Sequence, residues 1–145
     1  MKLEFGCDPE KDGLPLLPDL FYKVVAKVEG ELRSAVMLSV KYEIGVETFP
    51  PRKNHLLFCF SSLKFAEYYM KDNFRNCILD MRIFSCYAGR IYYPEYCPNG
   101  FFREEELLQY FDDIRKYKSM GWSPRFIHFP GAVLTNRIKL AEEIK

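Results

Sequence analysis

Residues 56–70, Leu-Leu-Phe-Cys-Phe-Ser-Ser-Leu-Lys-Phe-Ala-Glu-Tyr-Tyr-Met, constrain the fold more than any other stretch of this chain. The apolar run 56–60 is too short and too uniformly apolar for an amphipathic helix, so it reads as a central strand. Ser61 or Ser62 can then accept a hydrogen bond from first-turn amides, and Leu63, Ala66, Tyr69 and Met70 fall on one helical face. A buried strand that turns at once into a capped helix implies a sheet with a helix laid on it.

The elements around this unit follow the same rules. Residues 1–19, with Pro9, Gly13, Pro15 and Pro18, have the composition of a lead-in segment whose Leu14, Leu16 and Leu17 pack over the domain. Residues 20–145 form a single domain. Leu20 to Val28 alternates β-formers with polar residues and predicts a first strand ending at Glu29-Gly30, with 33–40 as its antiparallel partner. Residues 41–49 read as a short, bent strand around Gly45, and 77–84 as a further strand. Residues 87–100, punctuated by Gly89, Pro94, Pro98 and Gly100, read as an irregular excursion rich in tyrosine. The spacing of Leu107, Tyr110, Phe111, Ile114 and Tyr117, with acidic residues at the start and basic ones at the end, predicts a second helix over 103–118. Residues 126–129 and 132–139 read as closing strands, with fraying beyond. The fold class expected is therefore α+β, a largely antiparallel central sheet flanked by two helices.

Composition narrows the function classes. A chain of 145 residues is long enough to bury roughly 68–70% of its unfolded surface without staples. Its 21 basic and 20 acidic residues leave a net charge of +1, without the basic field that drives nonspecific nucleic-acid binding, so no nucleic-acid partner is expected. The five cysteines, Cys7, Cys59, Cys77, Cys86 and Cys97, are odd in number and include no C-x-x-C pair, which argues against a disulfide framework and against a zinc site. Free thiols within apolar runs suit a reducing compartment, and with no signal-like N-terminus and no membrane-length apolar run the expectation is a cytoplasmic protein. Whether Cys86 and Cys97 bridge across the excursion is left open.

The chemistry-bearing residues are sparse. His55 and His128 lie at or in strands and have no nucleophile or metal partner at a telling spacing, so each reads as structural and no metal is expected. The acidic runs at 104–106 and 112–113 read as a solvated helix face. No glycine spacing approaches a phosphate-cradling loop. Tyr87, Arg90, Tyr92, Tyr93 and Tyr96 combine the two residue types that most often anchor protein interfaces, and mark a partner-binding surface unless they simply cover the sheet edge.

With the elements so placed, the unit carrying Phe58, Ala66 and Tyr68, together with the closing segment that begins Pro130-Gly-Ala-Val-Leu-Thr-Asn-Arg-Ile-Lys-Leu, resembles small domains of the ADP-ribosyltransferase-like fold. The resemblance spans 20–143. It implies that Tyr68 stacks on nicotinamide and that a first-strand residue near Tyr22 or Lys23 holds the NAD ribose. Departures accompany it. Neither position is histidine, Leu57 stands where a strand tyrosine is expected, Phe65 replaces a small hydroxyl residue, and Asn136 has no glutamate beside it to steady an oxocarbenium-like ribose. An arginine-type variant would use Arg33, Ser34 and Glu43, and a rearranged one would bring Glu43 or Glu47 to the ribose.

Three readings result. The leading one is a non-catalytic ligand- or protein-binding module, with a small ligand near Tyr22, Lys23, Arg33, Tyr42, Ser61 and Tyr68 and no cofactor. The second is an NAD-dependent ADP-ribosyltransferase with a rearranged active site, for which NAD is the cofactor. The third is a structural or assembly protein of phage or accessory type.

Overall fold

A computed structural model describes residues 16–35, 40–50, 56–74, 78–92, 96–98, 126–128 and 131–145; of residues 73, 92, 96–98 and 126–128 it describes the backbone alone. The strands are β1 (Leu20–Val28), β2 (Glu31–Ser34), β3 (Lys41–Tyr42), β4 (Glu47–Thr48), β5 (Leu57–Phe60), β6 (Asp80–Ala88), β7 (Ile91–Tyr92), β8 (Tyr96–Pro98), β9 (Phe126–His128), β10 (Ala132–Thr135) and β11 (Ile138–Ile144), with one helix, α1 (Leu63–Phe74). Nine strands join one sheet, and β8 pairs with β9 separately. Every strand pairing is antiparallel, the one parallel contact being an isolated bridge from Ile44 to Leu140.

The expectation of a sheet flanked by two helices is corrected by this architecture. Among the described residues the protein is a mostly antiparallel sheet carrying one short helix. The second helix was expected over 103–118, which lies outside the described residues. Nothing in a helical spacing says whether the sheet needs that helix as a cover, and here the sheet covers much of itself.

It does so by closing. β6 and β7 run opposite β11 and β10 in unbroken register, from Leu140 opposite Cys86 to Leu134 opposite Tyr92. The corner between them is stitched by Gly89 N–H to the Arg137 carbonyl at 3.0 Å and Asn136 N–H to the Arg90 carbonyl at 3.4 Å. Since β10 also pairs with β5, β5 with β1 and β1 with β6, the strands form a ring. Closing a sheet pairs strands that would otherwise be edges and so limits pairing with other chains, while β3 and β4, each with one partner strand among the described residues, lie outside the ring. The corner needs Gly89, because a Cβ there would run into the Asn136 side chain and lie 2.7 Å from Arg137 Cγ. The expected irregular excursion is thus regular in its described part: Tyr87 and Ala88 complete β6 and Ile91-Tyr92 form β7. Likewise the single closing strand expected over 132–139 is two strands around a bend, and β11 continues to Ile144 where fraying was expected.

Paired residues share a face of the sheet. Around the ring this places Phe21, Lys23 and Val25 of β1, Phe84, Cys86 and Ala88 of β6, Ile138 and Leu140 of β11, Val133 and Thr135 of β10, and Leu57 and Cys59 of β5 on the inner face. All are buried. The outer face bears Val24, Ile83, Phe58 and Phe60, and α1 packs there through Ala66 and Tyr69, with the Tyr69 ring 4.8 Å from that of Phe60 and 5.8 Å from that of Phe74. Ser62 caps the helix by accepting a hydrogen bond from Phe65 N–H at 3.3 Å, as the sequence pattern predicts.

Two further devices shape the wall. The β1–β2 hairpin turns on Glu29 and Gly30, with φ of 51° and 81°, the positive pair that the commonest two-residue hairpin requires; this starts β2 two residues earlier than expected. In β11 the register against β6 shifts between Leu140 and Glu143. Ser85 Oγ satisfies the irregularity by accepting from Glu142 N–H at 3.1 Å and donating to its carbonyl at 3.3 Å. At the other end of the chain, Leu17 N–H donates to the Ala88 carbonyl, which draws the last part of the lead-in segment onto the core.

Candidate functional site

The wall of the ring divides beside Lys23. N-terminal to it, β1 pairs with β5 through Tyr22 and Phe60; C-terminal to it, from Val25 onward, β1 pairs with β2. The strand alternation turns Lys23 inward, and its side chain is only 2% exposed. Its Nζ donates to the Phe58 carbonyl at 2.6 Å and to Ser34 Oγ at 3.3 Å, so the ammonium ties β5 to β2 where the backbone ladder between them is missing. It also sits 5.5 Å from the centre of the Tyr42 ring, a cation–π distance.

Tyr42 reaches this place because β3 pairs with β2, Tyr42 opposite Leu32, which carries its ring inward. The residue is 2% exposed, and its hydroxyl has no hydrogen-bond partner among the described residues. Burial holds the phenol well above its ordinary pKa, with smaller contributions from the Cys86 and Cys59 thiols. Those thiols come from strands on either side of β1 and hydrogen-bond to each other; that bond, together with burial, raises Cys86 well above the ordinary thiol range, while the Lys23 ammonium pulls the other way. Cys86 is a free thiol, as is Cys59. The inner cluster thus gathers an ammonium, a phenol and two thiols from β1, β3, β5 and β6.

Of the residues expected at a ligand site, Lys23 and Tyr42 are brought together here. Tyr22 lies on the opposite face of β1, half-buried, opposite Phe60 and Ser85. Arg33 is also on the outer face, ion-paired to Glu31 at 2.6 Å beside the Lys41–Glu31 pair at 3.1 Å. Ser61 is exposed, and its N–H bonds the Gly131 carbonyl at 3.0 Å. Tyr68 projects from α1 and is 60% exposed. Glu43 and Glu47 are exposed too, Glu47 lying 3.5 Å from Arg137. Asn136 is buried and spends its Oδ1 on the Arg90 N–H at 2.9 Å.

The expected partner surface is only partly described. Tyr87 lies in β6 opposite Leu20 and Lys139, half-buried, Arg90 stands at the corner, and Tyr92 and Tyr96 are placed by backbone alone in β7 and β8. Tyr93 lies outside the described residues. Cys97, in β8, pairs by backbone with Ile127.

Cys59, Cys86 and the Phe58 carbonyl are members of the site that sequence reasoning missed, and Ser34, expected in an arginine-type transferase beside Arg33 and Glu43, meets Lys23 instead. Parity along the predicted strand 56–60 was the signal for Cys59, which shares a face with Leu57, whereas Cys86 lies beyond the strand expected over 77–84 and takes its face from the extension of β6 to Ala88. The partner change beside Lys23 has no local signal. Among the described residues no helix is long and apolar enough to cross a membrane. Comparison of the chain with protein-family models, curated proteins and solved structures found no match.

Proposed function

We propose that this protein is a non-catalytic binding module that takes a small ligand on the inner face of its ring, at Lys23 and Tyr42. The observation that carries this reading is the Tyr42 hydroxyl, buried and without a partner among the described residues. An unsatisfied buried hydroxyl costs about 1–3 kcal/mol, a large fraction of a domain's stability, and a partner that supplies the missing bond recovers it. The non-catalytic part is supported by the state of the reactive groups. Lys23 is occupied in joining two strands, and the Cys86 thiol is held protonated, the form that is a poor nucleophile.

An NAD-dependent transferase is the second reading. It is favoured by the position of Lys23, a basic residue on the first strand beside the strand that leads into α1.

Thermal midpoints of the wild type and of Tyr42→Phe, measured with NAD, ADP-ribose, nicotinamide, acetate and inorganic phosphate, test the first reading. At least one probe should raise the wild-type midpoint and leave the variant's unchanged. A panel in which no probe separates the two proteins would overturn it. Nicotinamide release from NAD in the same samples would replace it with the transferase.

A further inference from the structure

Several donors gather on the inner face around Tyr42. Lys23 brings an ammonium, and Cys59 and Cys86 bring thiols that engage each other. Two hydroxyls that share this face are already engaged: Ser34 Oγ accepts from Lys23, while Thr135 Oγ1 accepts from Gly89 N–H at 3.1 Å and donates to the Arg137 carbonyl at 3.2 Å. The described carboxylates whose register puts them on this face, Asp80 and Glu143, are both ion-paired to Arg82, at 2.8 and 3.0 Å. The Tyr42 hydroxyl, which burial keeps protonated, is therefore a donor in need of an acceptor. Lys23 is 2% exposed, and in so poorly solvated an interior its ammonium acts strongly on a ligand's charge. Phe84, Val133, Ile138 and Leu140 crowd the remainder of the inner face, so what enters must be small.

From this arrangement we infer that the ligand is a small oxyanion, a carboxylate or phosphate group, one oxygen of which accepts a hydrogen bond from the Tyr42 hydroxyl beside the Lys23 ammonium. The inference rests on the binding reading above and adds the chemical class to it. A charge-assisted hydrogen bond of this kind is about twice as strong as a neutral one.

The test is titration of acetate, inorganic phosphate and neutral nicotinamide into the wild type and Tyr42→Phe at constant ionic strength, followed by calorimetry and by the ring resonances of labelled tyrosine. Acetate or phosphate should bind the wild type, shift the Tyr42 ring signals, and lose about tenfold in affinity in the variant. Whichever of the two binds identifies the source of the oxyanion. Binding of nicotinamide through Tyr42 with neither anion bound would overturn the oxyanion class and leave the binding reading standing. Failure of all three probes to move the Tyr42 signals would overturn both. Equal response of the two proteins to an anion would mark a general ion effect and overturn the site. The ring signals are read in the unaltered protein, so the result does not depend on the variant folding.

Discussion

Lys23 donates a hydrogen bond to the carbonyl of Phe58 at 2.6 Å across the place where β1 exchanges one neighbour for another. A strand carbonyl at a division in a sheet loses its ladder partner, and burying it unpaired is costly. A lysine is long enough to reach it from the opposing strand. The residue that best marks the candidate site is thus also a structural tie.

That double role predicts an order of stabilities. Lys23→Ala removes the packed stem as well as both hydrogen bonds and should destabilise the protein by about 2–5 kcal/mol, as large-to-small core changes do. Lys23→Met restores most of the volume and no buried charge, so it should be more stable than Lys23→Ala. Urea unfolding of the three proteins checks this; an alanine variant equal to the methionine one would show that the stem contributes nothing.

Tyr42→Phe should behave in the opposite sense. Removing a buried hydroxyl that has no partner relieves a desolvation cost, so the ligand-free variant should be at least as stable as the wild type while losing ligand response. Denaturation midpoints without added ions decide it. A loss above about 1 kcal/mol would mean that the hydroxyl is already satisfied within the protein.

Gly131 packs beneath the Phe65 ring, and a Cβ on it would lie within 2.6 Å of Phe65 Cβ and closer still to the ring. Gly131→Ala should cost about 1–3 kcal/mol through overpacking. Phe65 is partly exposed, so trimming it in the double variant Gly131→Ala/Phe65→Ala should recover part of the loss. Additive losses in a double-mutant cycle would show that the two residues do not press on each other.

Ser62→Ala should destabilise α1, and with it the protein, by about 1 kcal/mol through loss of the cap to Phe65 N–H. Ser62→Asp should retain most of that stability. Circular dichroism melts compare the three.

Acid should weaken two surface clusters. Hydrogen bonds from Lys41 and then Arg33 hold Glu31 below its ordinary pKa of 4.5, and Arg82 holds Asp80 below 3.8. Because both folded-state values are depressed, their stabilisation is complete above the ordinary values and is lost as pH falls through the depressed ones. The unfolding midpoint of Glu31→Gln should therefore converge with that of the wild type on acidification below about pH 4, and the gap at neutral pH should be small because the groups are solvated and screened. A gap that persists at pH 2 would place its origin elsewhere.

Local pattern decided the elements that are made by neighbours in sequence. β1 occupies the predicted span Leu20–Val28, β5 and the Ser62-capped helix follow the apolar run and its 3.6-residue spacing, and Glu29-Gly30 makes the turn. These outcomes depend on alternation, capping and φ preferences, all of which act within a few residues. Tertiary structure alone decided that the sheet closes, that β10 and β11 bend at Asn136-Arg137 against Gly89-Arg90, and that Lys23 meets Tyr42 while Tyr22, Arg33 and Tyr68 face elsewhere. Each of those depends on register between strands far apart in the chain, where a one-residue slip sends every side chain to the other face.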